Sequence, residues 1–481
     1  MRSWEALLDR FAGLTVAVIG ESCLDGWYSG PSRRLSREAP VPVVAVEDAA
    51  LCPGGAANAA AGVAALGARV RFVSVVGDDA DGAELLRVLA ASDVATDSVL
   101  VEPGRRTVAK RRVLSDNQLL VRFDSGDTTA LAEVTERDIV GRLRAAISGA
   151  DAVLVADYEG GLLTSDAVRA AVVAAVRDAG VPLVVDAHRP ARWAAARPTV
   201  SKPDAHEVLE LLPAAARLTF TRDRLGAVAA SAGHLLRITG AEALVVTLDR
   251  DGALVLTRDA APRRLHADPS PVLHTVGAGD SFSAALVTTL AAGAGVAQAA
   301  EAGCAAAAVV VRQPGTSACR LPQLRDRLGA GSARLLPMEQ LAACTATHRV
   351  LGRRVVMTNG CFDGLHGGHL SYLEAAKSRG DVLVVALNSD GSVERLRGAA
   401  PVHGVEDRAV VLAGLACVDH VVVFDGDTAA DLLRLARPDV WVKGGDYTEA
   451  MLPEAALARE LGAEVHLEQW VDDRVRSPAE P

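Results

Sequence analysis

Short β-branched runs alternate with longer Ala- and Leu-rich stretches along almost the whole chain. Val16-Ala17-Val18-Ile19, Val153-Leu154-Val155, Leu183-Val184-Val185 and Leu244-Val245-Val246 predict strands, each leading into Gly, Asp or Thr. Between them the apolar spacing predicts helices, among them 166–179 and 224–239. This alternation argues for parallel βαβ units with helices on both sheet faces, which places active sites at the carboxyl ends of the strands. The rhythm falters after Pro322. Residues 324–346 hold Gly329, Gly331 and Pro337 among short amphipathic pieces, and a fresh strand is predicted at Arg354-Val355-Val356-Met357. That interruption predicts a first domain over 1–324, a linker over 325–350 and a second domain over 351–481. The second domain resumes the pattern through Val382-Leu383-Val384-Val385-Ala386, Val421-Val422-Val423 and Val440-Trp441-Val442, without repeating the sequence of the first.

Composition agrees with two domains. The chain has 481 residues, half of them hydrophobic, enough to bury two cores. Aromatics are only 3%, so Ala, Val and Leu must fill the interior, which suits helices packed closely on parallel sheets. Fifty basic against 60 acidic residues give a net charge of -10 with no long basic run, which argues against nucleic acid while leaving room for a local phosphate pocket. Seven cysteines (Cys23, Cys52, Cys304, Cys319, Cys344, Cys361, Cys417) lack CxxC or zinc-like spacing and read as reduced thiols of a cytoplasmic protein. The amino-terminal residues do not resemble a signal peptide. The most membrane-like segment, 305–311, is too short to span a bilayer and reads as a buried helix end.

Two phosphate-handling signatures of unrelated type lie on this framework. In Thr275-Val276-Gly277-Ala278-Gly279-Asp280 the small residues let backbone N–H groups approach an anion, and the helical run 281–292 would aim its positive end at it. Asp280 stands where a carboxylate can take the proton of an attacking hydroxyl. Far upstream lies Pro53-Gly54-Gly55-Ala56-Ala57-Asn58. Together these motifs resemble the ribokinase-like carbohydrate kinase family, over roughly residues 10–322. The resemblance implies sugar contacts from Asp25, Gly54, Gly55 and Asn58, Asp280 as base, and an anion hole at Gly277, Ala278 and Gly279. It also implies magnesium and phosphate binding at Asp204 and Glu207, in Lys202-Pro203-Asp204-Ala205-His206-Glu207, and nucleotide binding at Thr247 and Gly252. His274 stands where the family has an Asp that helps hold a monovalent cation, so potassium activation is not carried over. Asp186-Ala187-His188 replaces the Asp-Pro-Lys of close relatives, exchanging a fixed positive charge for a titratable one.

The second signature is His366-Gly367-Gly368-His369, after Thr358-Asn359-Gly360-Cys361-Phe362-Asp363. Two imidazoles three residues apart face one side of a helix start, and the glycines leave the backbone open to phosphates. Neither Cys nor carboxylate follows with ligand spacing, so a zinc site at these histidines is the poorer reading. With Asn388-Ser389-Asp390, Glu406-Asp407-Arg408 and Val442-Lys443-Gly444-Gly445-Asp446-Tyr447, this string resembles the cytidylyltransferase-like family, nearest its heptose-phosphate adenylyltransferase branch. The match implies that His366 and His369 steady the transferring phosphate and that Thr358, Asn359, Phe362, Asn388, Asp390 and Gly444 lie near the nucleotide. Arg408 and Lys443 would neutralise phosphates, and Lys377 would meet the acceptor phosphate. Relatives carry a late Ser/Thr element opening a terminal helix; here only Ser477 matches, before Pro478.

The expected architecture is therefore α/β throughout: a ribokinase-like α/β domain followed by a smaller Rossmann-like nucleotidyltransferase α/β domain. Their order resembles the bifunctional enzymes of bacterial ADP-heptose synthesis. That resemblance implies ATP and sugar phosphates as ligands, Mg2+ with the ATP, a homodimer, and neither nucleic acid nor membrane as partner.

Overall fold

Parallel strands buried on both faces form the centre of each half of the chain, as near-continuous Val, Ile, Leu and Ala runs require. The computed structural model describes residues 4–116, 118–265, 275–333, 335–336, 338–350, 352–444 and 451–468. Contacts divide the chain into two units, Met1–Leu328 and Gly329–Pro481.

The first unit is built on a nine-stranded sheet in the order Arg263–Leu265, Ala253–Thr257, Ala243–Thr247, Val200–Ser201, Leu183–Ala187, Ala152–Asp157, Thr15–Gly20, Arg69–Gly77, Val99–Glu102. Its strands pair in parallel except the two at the Arg263 edge, which are antiparallel. Every residue of Thr15–Gly20, Ala152–Asp157 and Leu183–Ala187 is buried. The chain passes from Thr15–Gly20 almost directly into Ser22–Ser29, which belongs to a second, four-stranded sheet with Asp48–Gly55, Ala109–Ser115 and Gln118–Ser125. Pairing there sets Cys23 opposite Gly54 and Asp25 opposite Lys110.

Local chemistry explains the helix ends. The helix Asp166–Ala179, with the predicted bounds, starts where the Ser165 hydroxyl accepts from Val168 N and ends at Gly180, whose φ of 64° a residue with a Cβ adopts at a cost. Val168, Ala171, Val172 and Val176 form its buried stripe. By contrast, the single helix expected over 224–239 is two, Arg224–Ala230 and Ala232–Thr239. Ser231 and Gly233, weak helix formers, lie at the break.

The expected linker over 325–350 is not an irregular connection. Helices Leu321–Ala333 and Leu341–Val350 occupy most of it, and the unit boundary falls inside the first of them. Leu335–Leu336 joins the edge of the second sheet beside His420–Phe424, and Leu341 is fully buried in the second core. Isolated glycines cost a helix about 1 kcal/mol each, which neighbouring packing outweighs; the sequence pattern overstated their effect.

The second unit has six parallel strands, ordered Leu335–Leu336, His420–Phe424, Val382–Asn388, Val355–Gly360, Val440–Gly444, Glu464–Glu468. From Val355–Gly360 the chain winds one way, then returns to the other side at Val440–Gly444. The crevice between those two strands is the topological switch point, where open α/β sheets bind ligands. Among the described residues no helix is long and apolar enough to cross a membrane.

Candidate active sites

At the carboxyl ends of the first sheet, Asp280 is held from two sides. Asn58 Nδ2 donates to its Oδ2 at 2.9 Å, and the Tyr158 hydroxyl donates to its Oδ1 at 2.9 Å. Burial, countered by the Asn58 hydrogen bond and reinforced by nearby Asp186, pushes the carboxyl up to about 6. A carboxylate poised there is ionised at neutral pH yet basic enough to accept a proton.

Asp280 lies in the first turn of the helix Ala278–Ala291, whose cap Gly277 has φ 81°. A Cβ on Gly277 would also fall 2.8 Å from Asn58 Nδ2 and 3.2 Å from the Thr316 methyl. Glycine is thus required twice over, by backbone angle and by space. Thr316 ties this turn to the four-stranded sheet: its hydroxyl donates to Asp25 Oδ2 at 3.0 Å and accepts from Trp27 Nε1 at 3.0 Å. Arg112 donates to Asp25 Oδ1 at 2.9 Å and stacks over Trp27 at 4.8 Å. Gly54 faces the same carboxylate, since a Cβ there would lie 2.9 Å from Asp25 Cγ. Gly55, at φ 60°, opens the helix Ala56–Ala65 that carries Asn58. The expected residues Asp25, Gly54, Gly55, Asn58, Gly277, Ala278, Gly279 and Asp280 therefore lie together.

Lys202, Asp186, Tyr158, Arg112 and Thr316 join them, and sequence reasoning assigned none of them a role. Lys202 Nζ pairs with Asp186 Oδ1 at 3.1 Å, and a Cβ on Gly279 would come 3.9 Å from it. Burial works against its charge, but Asp186 and then Glu207 outweigh that and hold its pKa up. A fixed cation thus stands beside the glycine turn. Its signal was the position of Lys202 directly after the short buried strand Val200–Ser201. Asp204 caps the helix Ala205–Leu211 in a capping box with Glu207. Glu207 is buried and also receives His188 Nδ1 at 2.9 Å, an interaction that raises the imidazole pKa. Thr247 N bonds Pro203 O at 3.0 Å, which brings the end of that strand against the same segment. Gly252, at φ 89°, closes the turn that follows. His274 lies outside the described residues.

At the switch point of the second unit, His366 caps the helix Gly367–Lys377, its Nδ1 accepting from Gly368 N at 3.2 Å. The His369 ring lies 4.2 Å from that of His366 and 5.6 Å from Phe362. Burial, then the neighbouring His366 and Arg397, push His369 down to about 4, so it is neutral at pH 7. Phe362 itself has φ 48°, a left-handed conformation unusual for an aromatic residue. Across the crevice Lys443 Nζ donates to Asn359 O at 3.3 Å, and Trp441 Nε1 donates to Asn359 Oδ1 at 3.3 Å. Burial depresses the Lys443 pKa, as a water-poor crevice demands.

Several expected contacts of this site turn out otherwise. Lys377 sits at the far end of its helix and pairs with Asp419, whose carboxylate also accepts from Leu383 N near the start of its strand. It therefore lies at the amino end of the sheet and cannot meet an acceptor phosphate at the carboxyl end. Arg408 is buried, and each of its three nitrogens makes a bond: Nε donates to His403 O at 2.9 Å, Nη1 to Cys361 O at 2.6 Å and Nη2 to Asp390 Oδ1 at 2.7 Å. These bonds tie the segments around Cys361, Asp390 and His403 together. Thr358 is fully buried with its hydroxyl bonded to that of Tyr372, so its side chain faces the core. Gly444 makes room for Tyr372, whose ring would lie 2.6 Å from a Cβ there. Asn388 is buried, its Nδ2 donating to Ser392 Oγ at 2.8 Å. Asp363 was not singled out, yet it accepts from Val402 N at 2.9 Å and His403 N at 3.2 Å and so anchors the loop beside the histidines. Ser477 and 445–447 lie outside the described residues.

Two separate sites, one at the carboxyl end of the sheet in each unit and each opening on a glycine-led helix, are the layout of a bifunctional transferase. The family model for pfkB family carbohydrate kinases matches residues 14–324, and the cytidylyltransferase-like model matches 357–473. The chain is 38% identical over 471 residues to the bifunctional protein HldE of Gluconobacter oxydans, covering 97% of both chains. It is 34% identical to that of Pelobacter propionicus, over 98% of this chain and 96% of the relative. The chain belongs to the pfkB carbohydrate kinases in its first unit and, over its length, to the bifunctional HldE family. Phosphofructokinase-2 from Escherichia coli in complex with potassium shares the fold of the first part (TM-score 0.53, 21% identity, 66% of this chain and 98% of that one). So does Arabidopsis thaliana ribokinase complexed with ribose and ATP (TM-score 0.51, 19% identity, 66% and 98%).

Proposed function

We propose that the first unit phosphorylates D-glycero-D-manno-heptose 7-phosphate on its anomeric oxygen and that the second joins heptose 1-phosphate to AMP from ATP, releasing pyrophosphate. The reading is carried by Asp280, suspended between Asn58 and Tyr158 beside the Gly277–Gly279 turn and Lys202. Asp25 and Asn58 orient the sugar, and Asp280 takes the anomeric hydroxyl proton as oxygen attacks the γ-phosphorus. The N–H groups of Ala278 and Gly279, with Lys202, receive the charge that builds on the transferred group.

Mg2+ accompanies ATP in this reading. Asp204 and Glu207, joined in the capping box beside Lys202, are the residues that would hold it, through phosphates and water. When bound it neutralises phosphate charge. In the second unit the acceptor phosphate is already an anion and needs no base. His366, His369, Lys443 and the helix start position the α-phosphate and take up charge. We further propose a cytoplasmic homodimer.

The test is incubation with heptose 7-phosphate and, separately, heptose 1-phosphate, each with ATP and Mg2+, followed by mass. Heptose bisphosphate with ADP, and ADP-heptose with pyrophosphate, are expected. Kinase activity undiminished by Asp280→Asn would remove the first assignment. Pyrophosphate release undiminished by His366→Ala would remove the second.

A further inference from the structure

A cluster of three ligand-type side chains lies in the second unit, away from the histidines of the switch point. Cys344 and His348 are four residues apart on the helix Leu341–Val350 and so share a face. His420, the first residue of the strand His420–Phe424, meets that face. Cys344 Sγ is 3.4 Å from His420 Nε2, and His348 Nε2 is 3.1 Å from the same nitrogen. One ligand atom from each lies within 4.8 Å of the others, and all three residues are partly buried.

Those separations match what a single small ion imposes. Zinc bonds of ~2.05 Å to nitrogen and ~2.3 Å to sulfur, at tetrahedral angles, set ligand edges of ~3.3 Å between nitrogens and ~3.6 Å between nitrogen and sulfur. The observed edges are within a few tenths of an ångström of both. A thiolate with two imidazoles selects Zn2+ among common biological divalent ions and disfavours Mg2+ and Ca2+, which take oxygen. We infer that Cys344, His348 and His420 form a Zn2+ site completed by water. The guanidinium of Arg353, the carboxylate of Asp419, adjacent in sequence to His420, and the ammonium of Lys377 paired with it are the other charges acting on His348.

The position decides the role. His420 opens its strand, and Asp419 N bonds Leu383 O at 3.0 Å, so the cluster stands at the amino end of the sheet while His366 and Lys443 stand at the carboxyl end. An ion there cannot touch the reacting phosphates. It fastens the helix Leu341–Val350, whose Leu341 and Thr345 are fully buried, to the sheet. His348 Nδ1 is buried without a hydrogen-bond partner, so this ligand lacks the outer support that tightens most zinc sites, and binding should be reversible by a chelator.

The test uses the full chain, chelator-stripped and kept reduced, titrated with Co2+ as a spectroscopic stand-in and then with Zn2+. One equivalent of Co2+ should give the visible bands of a tetrahedral site with a thiolate charge-transfer band, and Zn2+ should abolish both. Cys344→Ser should remove the charge-transfer band and weaken Co2+ binding at least about tenfold, since even outer-shell losses cost 10–100-fold. Cys361→Ser and Cys417→Ser should keep the band, and Cys344→Ser should leave pyrophosphate release unchanged. Absence of tetrahedral bands in the unaltered chain, or a thiolate band that survives Cys344→Ser, overturns the site and leaves a histidine–histidine hydrogen bond beside a thiol. Should Cys344→Ser not fold, His420→Gln takes its place, with loss of the tetrahedral spectrum expected and an unchanged spectrum overturning the site.

Discussion

Replacing Tyr158 by Phe isolates the control of the kinase base. The hydroxyl donates to Asp280 at 2.9 Å and is shared with Asp186 at 3.3 Å, and a phenyl ring keeps the packing while removing both bonds. A hydrogen bond to a charged group is worth about 1.5–3 kcal/mol, and one pKa unit is about 1.4 kcal/mol. Asp280 is only partly covered, so water recovers some of the loss, and a rise of about one unit is expected. The base works deprotonated. Its activity is complete above its pKa and lost as pH falls through about 6, so Tyr158→Phe should move that acid limb up to about 7. At pH 6 the variant should then be about fivefold slower than the parent, with the two converging at higher pH. The assay is kcat/KM for ADP production against pH. Sugar phosphates also lose a proton near pH 6. A substrate limb, however, cannot move when an enzyme residue changes, which makes the shift the decisive reading. An acid limb that stays in place in Tyr158→Phe would refute the assignment of the titrating group to Asp280.

Three further outcomes follow from the packing. Gly277→Ala places a Cβ against Asn58 at a φ of 81°, so kinase activity should fall at least tenfold while pyrophosphate release from the second unit is retained. Lys377→Ala should leave the KM for the sugar 1-phosphate within about twofold, since the pair with Asp419 is worth roughly 0–1 kcal/mol and lies off the site; a large rise in KM would restore the residue to the acceptor pocket. Arg408→Gln removes a buried cation that joins Cys361 O, His403 O and Asp390; the half-exposed Asp390 is rehydrated but the carbonyls lose their donor, so the second unit should lose about 1–3 kcal/mol in denaturant unfolding.

What the sequence made legible was set by spacing. Strands buried on both faces read as unbroken apolar runs, and the apolar spacing of 166–179 is that of a helix with one buried stripe, so these were visible without coordinates. The glycine turns and their neighbouring Asp and His were visible because few chemistries need such strings. Long-range partners were not. Nothing local distinguishes Tyr158, Arg112 or Thr316 from ordinary core residues, and each acquires its place from a strand or helix far away in the chain. Lys377 and Arg408 show the converse error. Their charge suggested phosphate, but Asp419 holds one at the wrong end of the sheet, and the other is buried where it also braces two backbone carbonyls and Asp390.

The two sites share one device and differ where their chemistry differs. Each places the first turn of a helix, opened by glycine, at the carboxyl end of a sheet, where the positive end of the helix favours an anion. The nucleophile of the first reaction is a neutral alcohol that must lose a proton, and there the helix carries a carboxylate raised to about 6 by its surroundings. The acceptor of the second is an anion before it binds. A carboxylate in that position would repel it, and the helix start carries His366 and a neutral His369 instead. Depressed to about 4 without ligand, His369 gains a proton more readily once a polyphosphate supplies the opposite charge. Titrating the ring in the presence and absence of ATP should therefore show its pKa rising on binding, and a pKa indifferent to ATP would place His369 outside the phosphate site.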